Sequence, residues 1–206
     1  MKHTIDLGPV TLQPGTVAID IETTGLDPVR HSAIEFAASA WDGRTIYSTF
    51  RMRPGRSIDA EALRVNGASI EGLDCREPGY FQAMEDLFEW LEDLRDDHGQ
   101  QLVLAGMNPH FDAGFLDAEW DLLYAAKGKR YRRPWSHRHY DLHTLAVQYA
   151  AIFGKESGRL HSDGISRLLG VAEEPKPHCA MGGVQWSLRC FAKINDNLRK
   201  LEEALK

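Results

Sequence analysis

This sequence has few cysteines and no long apolar run, and each of these absences disfavours a class of protein. Three cysteines occur among 206 residues, and no two of them form a CxxC pair. A secreted domain held by several disulfides and a four-cysteine zinc site are therefore both disfavoured, and we expect a reduced, cytoplasmic protein. No apolar run approaches the roughly 18 residues of a membrane span, and the N-terminal residues lack the apolar middle of a signal peptide. We expect no membrane association.

Positive charge is also in deficit. The chain has 24 Lys and Arg against 30 Asp and Glu, a formal net charge of -6 at pH 7. This balance disfavours a protein that coats long duplex nucleic acid, but it leaves room for a local basic patch. Residues 127–139, the basic segment, contain six Lys or Arg, no acid, and the aromatics Tyr131 and Trp135. The segment either binds single-stranded nucleic acid, with Arg132 and Arg133 among its contacts, or is a solvated connector.

The apolar pattern predicts one domain over residues 1–206, with strands and helices in alternation. The predicted strands are residues 16–21, 32–41, 45–51 and 101–106. The predicted helices are residues 58–65, 80–94, the segment from Pro109, residues 142–153, 164–169, and the segment from Val184. A strand meander followed by interleaved helices is typical of an α/β fold with a mixed sheet flanked by helices. Strand 16–21 is apolar on both faces, so we place it centrally.

Three acidic residues are predicted to meet at one edge of this sheet. Asp20 and Glu22 end the first strand on one face, about 6 to 7 Å apart. Asp112 follows strand 101–106 on a helix with Asn108 at its N-cap. Carboxylates gathered beyond neighbouring strand ends favour a hard cation such as Mg²⁺ or Mn²⁺. The alternative is that all three are surface acids, with Asp112 favoured in its first turn by the helix dipole.

Two longer motifs surround these acids. Residues 18–28 read AIDIETTGLDP, and residues 108–116 read NPHFDAGFL, which matches the pattern NxxFDxxFL. Segments 35–38, 62–67 and 140–145 lie where further elements are expected. In this order and spacing, the chain resembles the DEDDh 3'-5' exonucleases, a proofreading-type family that includes ribonuclease T and oligoribonuclease. The resemblance implies a ribonuclease H-like fold.

The same resemblance implies a function and a set of binding residues. The expected activity is hydrolysis of phosphodiester bonds at the 3' ends of single-stranded DNA or RNA, or of short oligonucleotides. Asp20, Glu22 and Asp112 would bind two Mg²⁺ or Mn²⁺ ions that activate water and stabilise the leaving 3' oxygen. The residues that the resemblance places against the substrate are Thr23, Leu26, Asn108 and Phe111. Because dimers are common in that family, a homodimer is a further expectation.

The third motif of that family is changed at one residue. The family has a histidine, four residues and then an aspartate, whereas residues 178–183 read HCAMGG. His178 therefore matches the general base, a role that the ordinary imidazole pKa near 6.5 suits. Gly183 stands where the family has a metal ligand. A Cys–His hydrolase is disfavoured, because no oxyanion-hole motif accompanies the cysteines.

Gly183 leaves three explanations open. The protein is a weakened or inactive nuclease that still binds nucleic-acid ends, a nearby acid substitutes, or the sequence carries a substitution relative to an active parent. The nearby acids are Asp163, Glu173 and Glu174. The first explanation gives the alternative function, a catalytically inactive, exonuclease-like nucleic-acid-binding protein. From sequence, we expect Gly183→Asp to raise Mg²⁺-dependent cleavage.

Overall fold

A computed structural model describes residues 12–125, 132–156 and 160–206. Within these ranges five strands form one sheet: β1 (Thr16–Thr23), β2 (Ala33–Ala40), β3 (Thr45–Thr49), β4 (Leu102–Gly106) and β5 (Trp135–Asp141). The helices of the described ranges are α1 (Ala60–Asn66), α2 (Ile70–Asp74), α3 (Tyr80–His98), α4 (Pro109–Ala125), α5 (Leu142–Ile152), α6 (Ser162–Leu169) and α7 (Ala180–Ala204).

The sheet has the order β3-β2-β1-β4-β5. Strands β1, β2 and β3 pair antiparallel, whereas β4 is parallel to both β1 and β5. The sheet is therefore mixed and β1 lies at its centre, as the apolar pattern predicted. A parallel neighbour on one side brings the ends of β1 and β4 to the same edge, where α4 begins.

The two faces of β1 are covered by different helices. Val17, Ile19 and Ile21 belong to a core shared with α3 and α4, whereas Ala18 belongs to a core shared with α5, α6 and α7. Because side chains alternate along a strand, Asp20 and Glu22 continue the Ala18 face, toward α7. The buried strand residues of this second core are Ala18, Ala37 and Ala105, whose small side chains let α7 approach the sheet closely.

Two boundaries differ from the sequence prediction. Helix α7 begins at Ala180, not at Val184, so Gly183 lies inside a helix and is buried. A glycine in a helix interior is about 1 kcal/mol less favourable than an alanine, but the packing of α7 on the sheet outweighs this local cost. The end of the basic segment is not a connector but the edge strand β5.

Two further observations concern the chain as a whole. No helix within the described ranges is long and apolar enough to cross a membrane. Cys75, Cys179 and Cys190 are all free thiols. Cys190 is buried in α7, and burial raises the pKa of its thiol to about 12, which leaves it protonated.

Candidate active site

Asp112 is joined to the central strand by a hydrogen bond. The pairing of β1 with β4 ends at Ala18 and Ala105, so the rest of β1 extends beyond its parallel neighbour. There the backbone N–H of Ile21 donates to Asp112 Oδ1 at 2.9 Å. Asp112 is only 3% exposed. The strand end that carries Asp20 and Glu22 is thereby fixed against the first turn of α4.

The three carboxylates share an electrostatic environment that disfavours their charged forms. The pKa of Asp20 is raised well above its ordinary value, first by desolvation and then by the charges of Asp112, Glu22 and two further acids. Desolvation, followed by the charges of two acids, raises the pKa of Glu22 to about 7. The pKa of Asp112 is also raised by desolvation, although hydrogen bonds from the backbone oppose the shift.

One of the additional acids is Glu35, which the sequence did not identify as a site residue. It lies directly opposite Glu22 across the antiparallel pair of β1 and β2. Its Oε1 accepts a hydrogen bond from the Ala180 N–H at 2.8 Å, so it holds the start of α7. Desolvation raises the pKa of Glu35, against the lowering effects of that hydrogen bond and of Arg76. The Asp42-Gly43 turn joins β2 to β3 and not β1 to β2, so no turn motif in the sequence indicated this pair.

Gly183 lies directly against Asp20. A Cβ atom built on Gly183 would collide with Oδ2 of Asp20. The expectation that Gly183→Asp raises cleavage stays a prediction, and in that variant the Asp20 carboxylate would have to shift to make room for the new side chain. The new carboxylate would also add negative charge to a cluster that already disfavours ionisation. Glycine permits the close approach of α7 to the end of β1.

His178 is held on the loop that leads into α7. Its backbone N–H donates to the carbonyl of Val65 in α1 at 3.1 Å. Its ring Nδ1 lies 3.2 Å from Oε1 of Glu174, and the two side chains are 30% and 10% exposed. The charge of Glu174 also contributes to the raised pKa values of Asp20 and Glu22. Glu174 therefore connects the histidine electrostatically to the acidic cluster.

The other two nearby acids are placed differently. Asp163 forms an ion pair with Lys176 at 2.9 Å, and this contact lowers the pKa of Asp163. Glu173 is exposed. Among the acids considered as substitutes for the missing ligand, only Glu174 is both nearly buried and close enough to influence Asp20.

The residues predicted to meet the substrate are arranged around the end of β1. Thr23 is buried, and its hydroxyl donates to the Gly25 carbonyl at 2.7 Å. Leu26 is 79% exposed, and Phe111 packs partly on the core. Asn108 is not an ordinary N-cap with extended backbone: its φ is 56°. It precedes Pro109, which is the first residue of α4 as predicted.

The basic segment lies partly outside the described residues, which begin again at Arg132. Arg132 is exposed and donates to Oε1 of Gln101 at 2.8 Å. Arg133 forms ion pairs with Asp117 and Asp121 of α4, at 2.7 and 2.8 Å. Trp135 is buried and donates to Asp117 Oδ1, so it is no base-stacking surface. Lys127, Lys129, Arg130 and Tyr131 fall outside the described ranges.

The donor set fits a divalent cation that shares its coordination with other oxygens. Among the described residues, no three His, Cys, Asp or Glu side chains are arranged to hold a metal ion by themselves. Mg²⁺ is commonly bound by one or two carboxylates, with waters and substrate phosphates completing the shell. Every charged group that shifts the pKa of Asp20 is an acid. A cation beside Asp20 and Asp112 would supply the missing positive charge.

Comparisons with known proteins bear on the family and the fold of this chain. The exonuclease family model RNase_T matches residues 17–191. DNA polymerase III PolC-type from Bacillus subtilis (strain 168) is 31% identical over 116 residues, which are 55% of this chain and 7% of that protein. The structure of E. coli Exonuclease I in complex with a dT13 oligonucleotide aligns with a TM-score of 0.64 at 16% identity, over 92% of this chain and 43% of that one.

Cell-death related nuclease 4 (CRN-4) also aligns with a TM-score of 0.64, at 12% identity over 88% of this chain and 63% of that chain. The chain spans less than two thirds of the length of each of these three proteins. At these identities, the two structural alignments bear on the fold alone, and they agree with the mixed sheet flanked by helices.

Proposed function

The chain belongs to the RNase_T exonuclease family, and we propose that it is a metal-dependent 3'-5' exonuclease. It would hydrolyse phosphodiester bonds at the 3' end of single-stranded DNA or RNA, or of short oligonucleotides. The observation that carries this proposal is the meeting of Asp20, Glu22 and Asp112 at one end of β1, with His178 on the adjoining loop. Buried acids without a counter-charge are costly unless a ligand uses them.

The carboxylates would hold the cation together with the substrate phosphate. Bound Mg²⁺ or Mn²⁺ supplies positive charge that activates a water nucleophile and stabilises the leaving 3' oxygen. Asp112 keeps one oxygen on the Ile21 N–H, which fixes its orientation at the strand end. Asp20 is held between β1 and the backbone of α7 at Gly183. These supports place the acids before substrate arrives, so little reorganisation is needed.

His178 would act as the general base. A general base takes the proton from the attacking water while the water bonds to phosphorus. The histidine side chain is 30% exposed, so water can reach the ring. Its backbone hydrogen bond to Val65 holds the loop while the ring exchanges protons.

The substrate would lie against the loop that follows β1. Leu26 projects into solvent and offers an apolar surface to the terminal base, while Thr23 and Phe111 support the same region. Asn108 is exposed at the start of α4. Arg132 is exposed and would contact the phosphate backbone farther along the strand.

Gly183 supports a second candidate function, a nucleic-acid-binding protein without catalysis. In such a protein the three carboxylates and Leu26 would bind a 3' end, and the fourth carboxylate would not be needed. The homodimer implied by the resemblance is part of neither proposal, because the site is formed within one chain.

The deciding experiment compares oligonucleotides labelled at the 3' or the 5' end. With Mg²⁺ or Mn²⁺, we expect rapid release of a labelled mononucleotide from the 3' end, and a ladder of shortening products from the 5'-labelled strand. EDTA and Asp112→Asn should abolish both. DNA and RNA versions of one sequence would identify the preferred sugar. A strand that is bound but uncut would establish the binding protein, and release of the 5' label would contradict the proposed direction.

A further inference from the structure

We propose that Glu174 is the positioning residue for His178, a role that its contact with the ring supports and that no sequence motif assigns. The inference rests on the proposed function, because His178 matters as a base only in a nuclease. Glu174 lies four residues before His178 on the loop between α6 and α7. Its Oε1 is 3.2 Å from Nδ1 of the ring.

The contact decides which ring nitrogen carries the hydrogen. Glu174 Oε1 is within ion-pair distance of Nδ1, and an ionised carboxylate only accepts hydrogen bonds, so Nδ1 would be the donor in the neutral imidazole. Nε2 then keeps its lone pair and is the nitrogen that can accept a proton from water. Without Glu174, a neutral imidazole in water would divide between the two tautomers, and the ring could rotate about its side-chain bonds.

The surroundings of Glu174 favour a fixed carboxylate over a mobile surface acid. Its side chain is only 10% exposed. The next residue, Pro175, lies close to Gly182 in α7, since a Cβ on Gly182 would be 3.4 Å from the proline ring. Pro177 packs similarly close to Gly67 at the end of α1. The loop is thus held at both sides of Lys176, and the Glu174–His178 geometry is held with it.

Among the described residues, neither of the other two nearby acids forms an ion pair with the His178 ring. Glu173 is exposed, whereas Asp163 is paired with Lys176, and the charge of His178 also contributes to the lowered pKa of Asp163. Glu174 is also one of the four acids whose charge raises the pKa of Asp20, so the residue that contacts the base also acts on the metal-binding acids.

The test uses Glu174→Ala and Glu174→Gln, with Glu173→Ala as the matched control. Gln keeps an oxygen that can accept a hydrogen bond from Nδ1–H, whereas the side chain of Ala has no hydrogen-bond acceptor. We expect Glu174→Ala to lower kcat about 10- to 100-fold with little change in KM. We expect Glu174→Gln to recover most of that loss and Glu173→Ala to match the unmodified protein.

Two further readouts do not depend on cleavage. Long-range ¹H–¹⁵N spectra of the imidazole should show the Nδ1–H tautomer in the unmodified protein and in Glu174→Gln, and a mixture in Glu174→Ala. Mn²⁺ titration followed by electron paramagnetic resonance should show at most a few-fold loss of affinity in the two Glu174 variants, because removing one nearby negative charge weakens the attraction for the cation. A loss of about 100-fold or more in Glu174→Gln would make Glu174 a metal ligand and overturn the proposal, as would an unchanged tautomer in Glu174→Ala. If the tautomer changes as expected but none of the proteins cleaves, the result contradicts the proposed nuclease function and still supports the role of Glu174 in positioning the ring.

Discussion

At the scale of single residues, the site is governed by the cost of gathering negative charge. Asp20, Glu22 and Asp112 all have raised pKa values, first because they are desolvated and then because other acids lie nearby. Their native state therefore holds protons that the unfolded chain has already lost near pH 5 to 7. By linkage, each of these groups makes the protein less stable as pH rises through that range.

This argument gives a prediction for Asp112→Asn without divalent ions. Asparagine keeps an oxygen for the Ile21 N–H but removes the charge, so the variant should be more stable than the parent at pH 8, on the order of 2 kcal/mol. At pH 4 the two proteins should be equally stable. Urea unfolding in EDTA at both pH values measures this. Asp93→Asn, at an exposed position on α3, is the control. A parent more stable at pH 8 than Asp112→Asn would contradict the raised pKa.

Added Mg²⁺ should reverse the order at pH 8. A cation that binds only the folded state stabilises it in proportion to the logarithm of its concentration. The melting temperature of the parent should rise with Mg²⁺, and that of Asp112→Asn should rise much less. An equal response from both proteins would place the cation elsewhere.

Gly183→Ala tests the contact between α7 and Asp20. The added Cβ would collide with the Asp20 carboxylate, so Asp20 has to move. We expect at least a ten-fold loss in Mn²⁺ affinity, in line with changes around other metal sites. Gly114→Ala is the matched helical control, because its Cβ would lie 3.9 Å from Pro28 and should add about 1 kcal/mol of stability. Calorimetric Mn²⁺ titration compares the two, and equal affinities would show that Asp20 accommodates a side chain at 183.

At the scale of elements, the edge strand β5 and the residues before it divide into structural and exposed parts. Arg133 is committed to α4 by its ion pairs with Asp117 and Asp121. Trp135 belongs to the core between α3, α4 and the sheet. Arg132 remains exposed at the start of the described part of this region.

The two arginines should therefore respond differently to neutralisation. Arg132→Ala should reduce the slope of log affinity against log salt by about 0.7, the value for one phosphate contact on a single strand. Arg133→Ala should leave that slope unchanged and lower the melting temperature, because it breaks contacts within the protein. Binding of a single-stranded oligonucleotide in Ca²⁺ at several salt concentrations measures the slopes. If both slopes stay unchanged, neither arginine contacts the nucleic acid, as expected for a solvated connector.

At the scale of the whole molecule, a buried ion pair joins the helix of Asp112 to the segment after β3. Glu119 of α4 is 2% exposed and lies 2.7 Å from Arg53 and 3.7 Å from Arg56. Removing one partner of such a group leaves charge buried without compensation, so Glu119→Gln should lower the unfolding free energy by about 3 to 5 kcal/mol. Glu61→Gln, which breaks an exposed pair with Arg64, should leave stability unchanged. Urea unfolding compares them, and equal losses would mean that burial of Glu119 is unimportant.

Local patterns in the sequence were enough to predict several elements of this structure. The central position of β1 follows from apolar residues on both of its faces, and the start of α4 follows from Pro109. The start of α7 was misplaced, because two adjacent glycines suggest a loop when their neighbours in space are unknown. The buried state of Trp135 was missed for the same reason.

The sequence by itself determined the kinds of chemical groups in the site, because DxE at a strand end and NxxFD at a helix start are local arrangements. Only the tertiary structure decided how those groups are supported. Glu35 reaches Ala180 across 145 positions of sequence, and Gly183 meets Asp20 across a helix–sheet interface. Glu174 became relevant once the loop before α7 was folded against α1. Such contacts depend on packing between segments that are distant in the sequence, so the spacing of residues along the chain does not predict them.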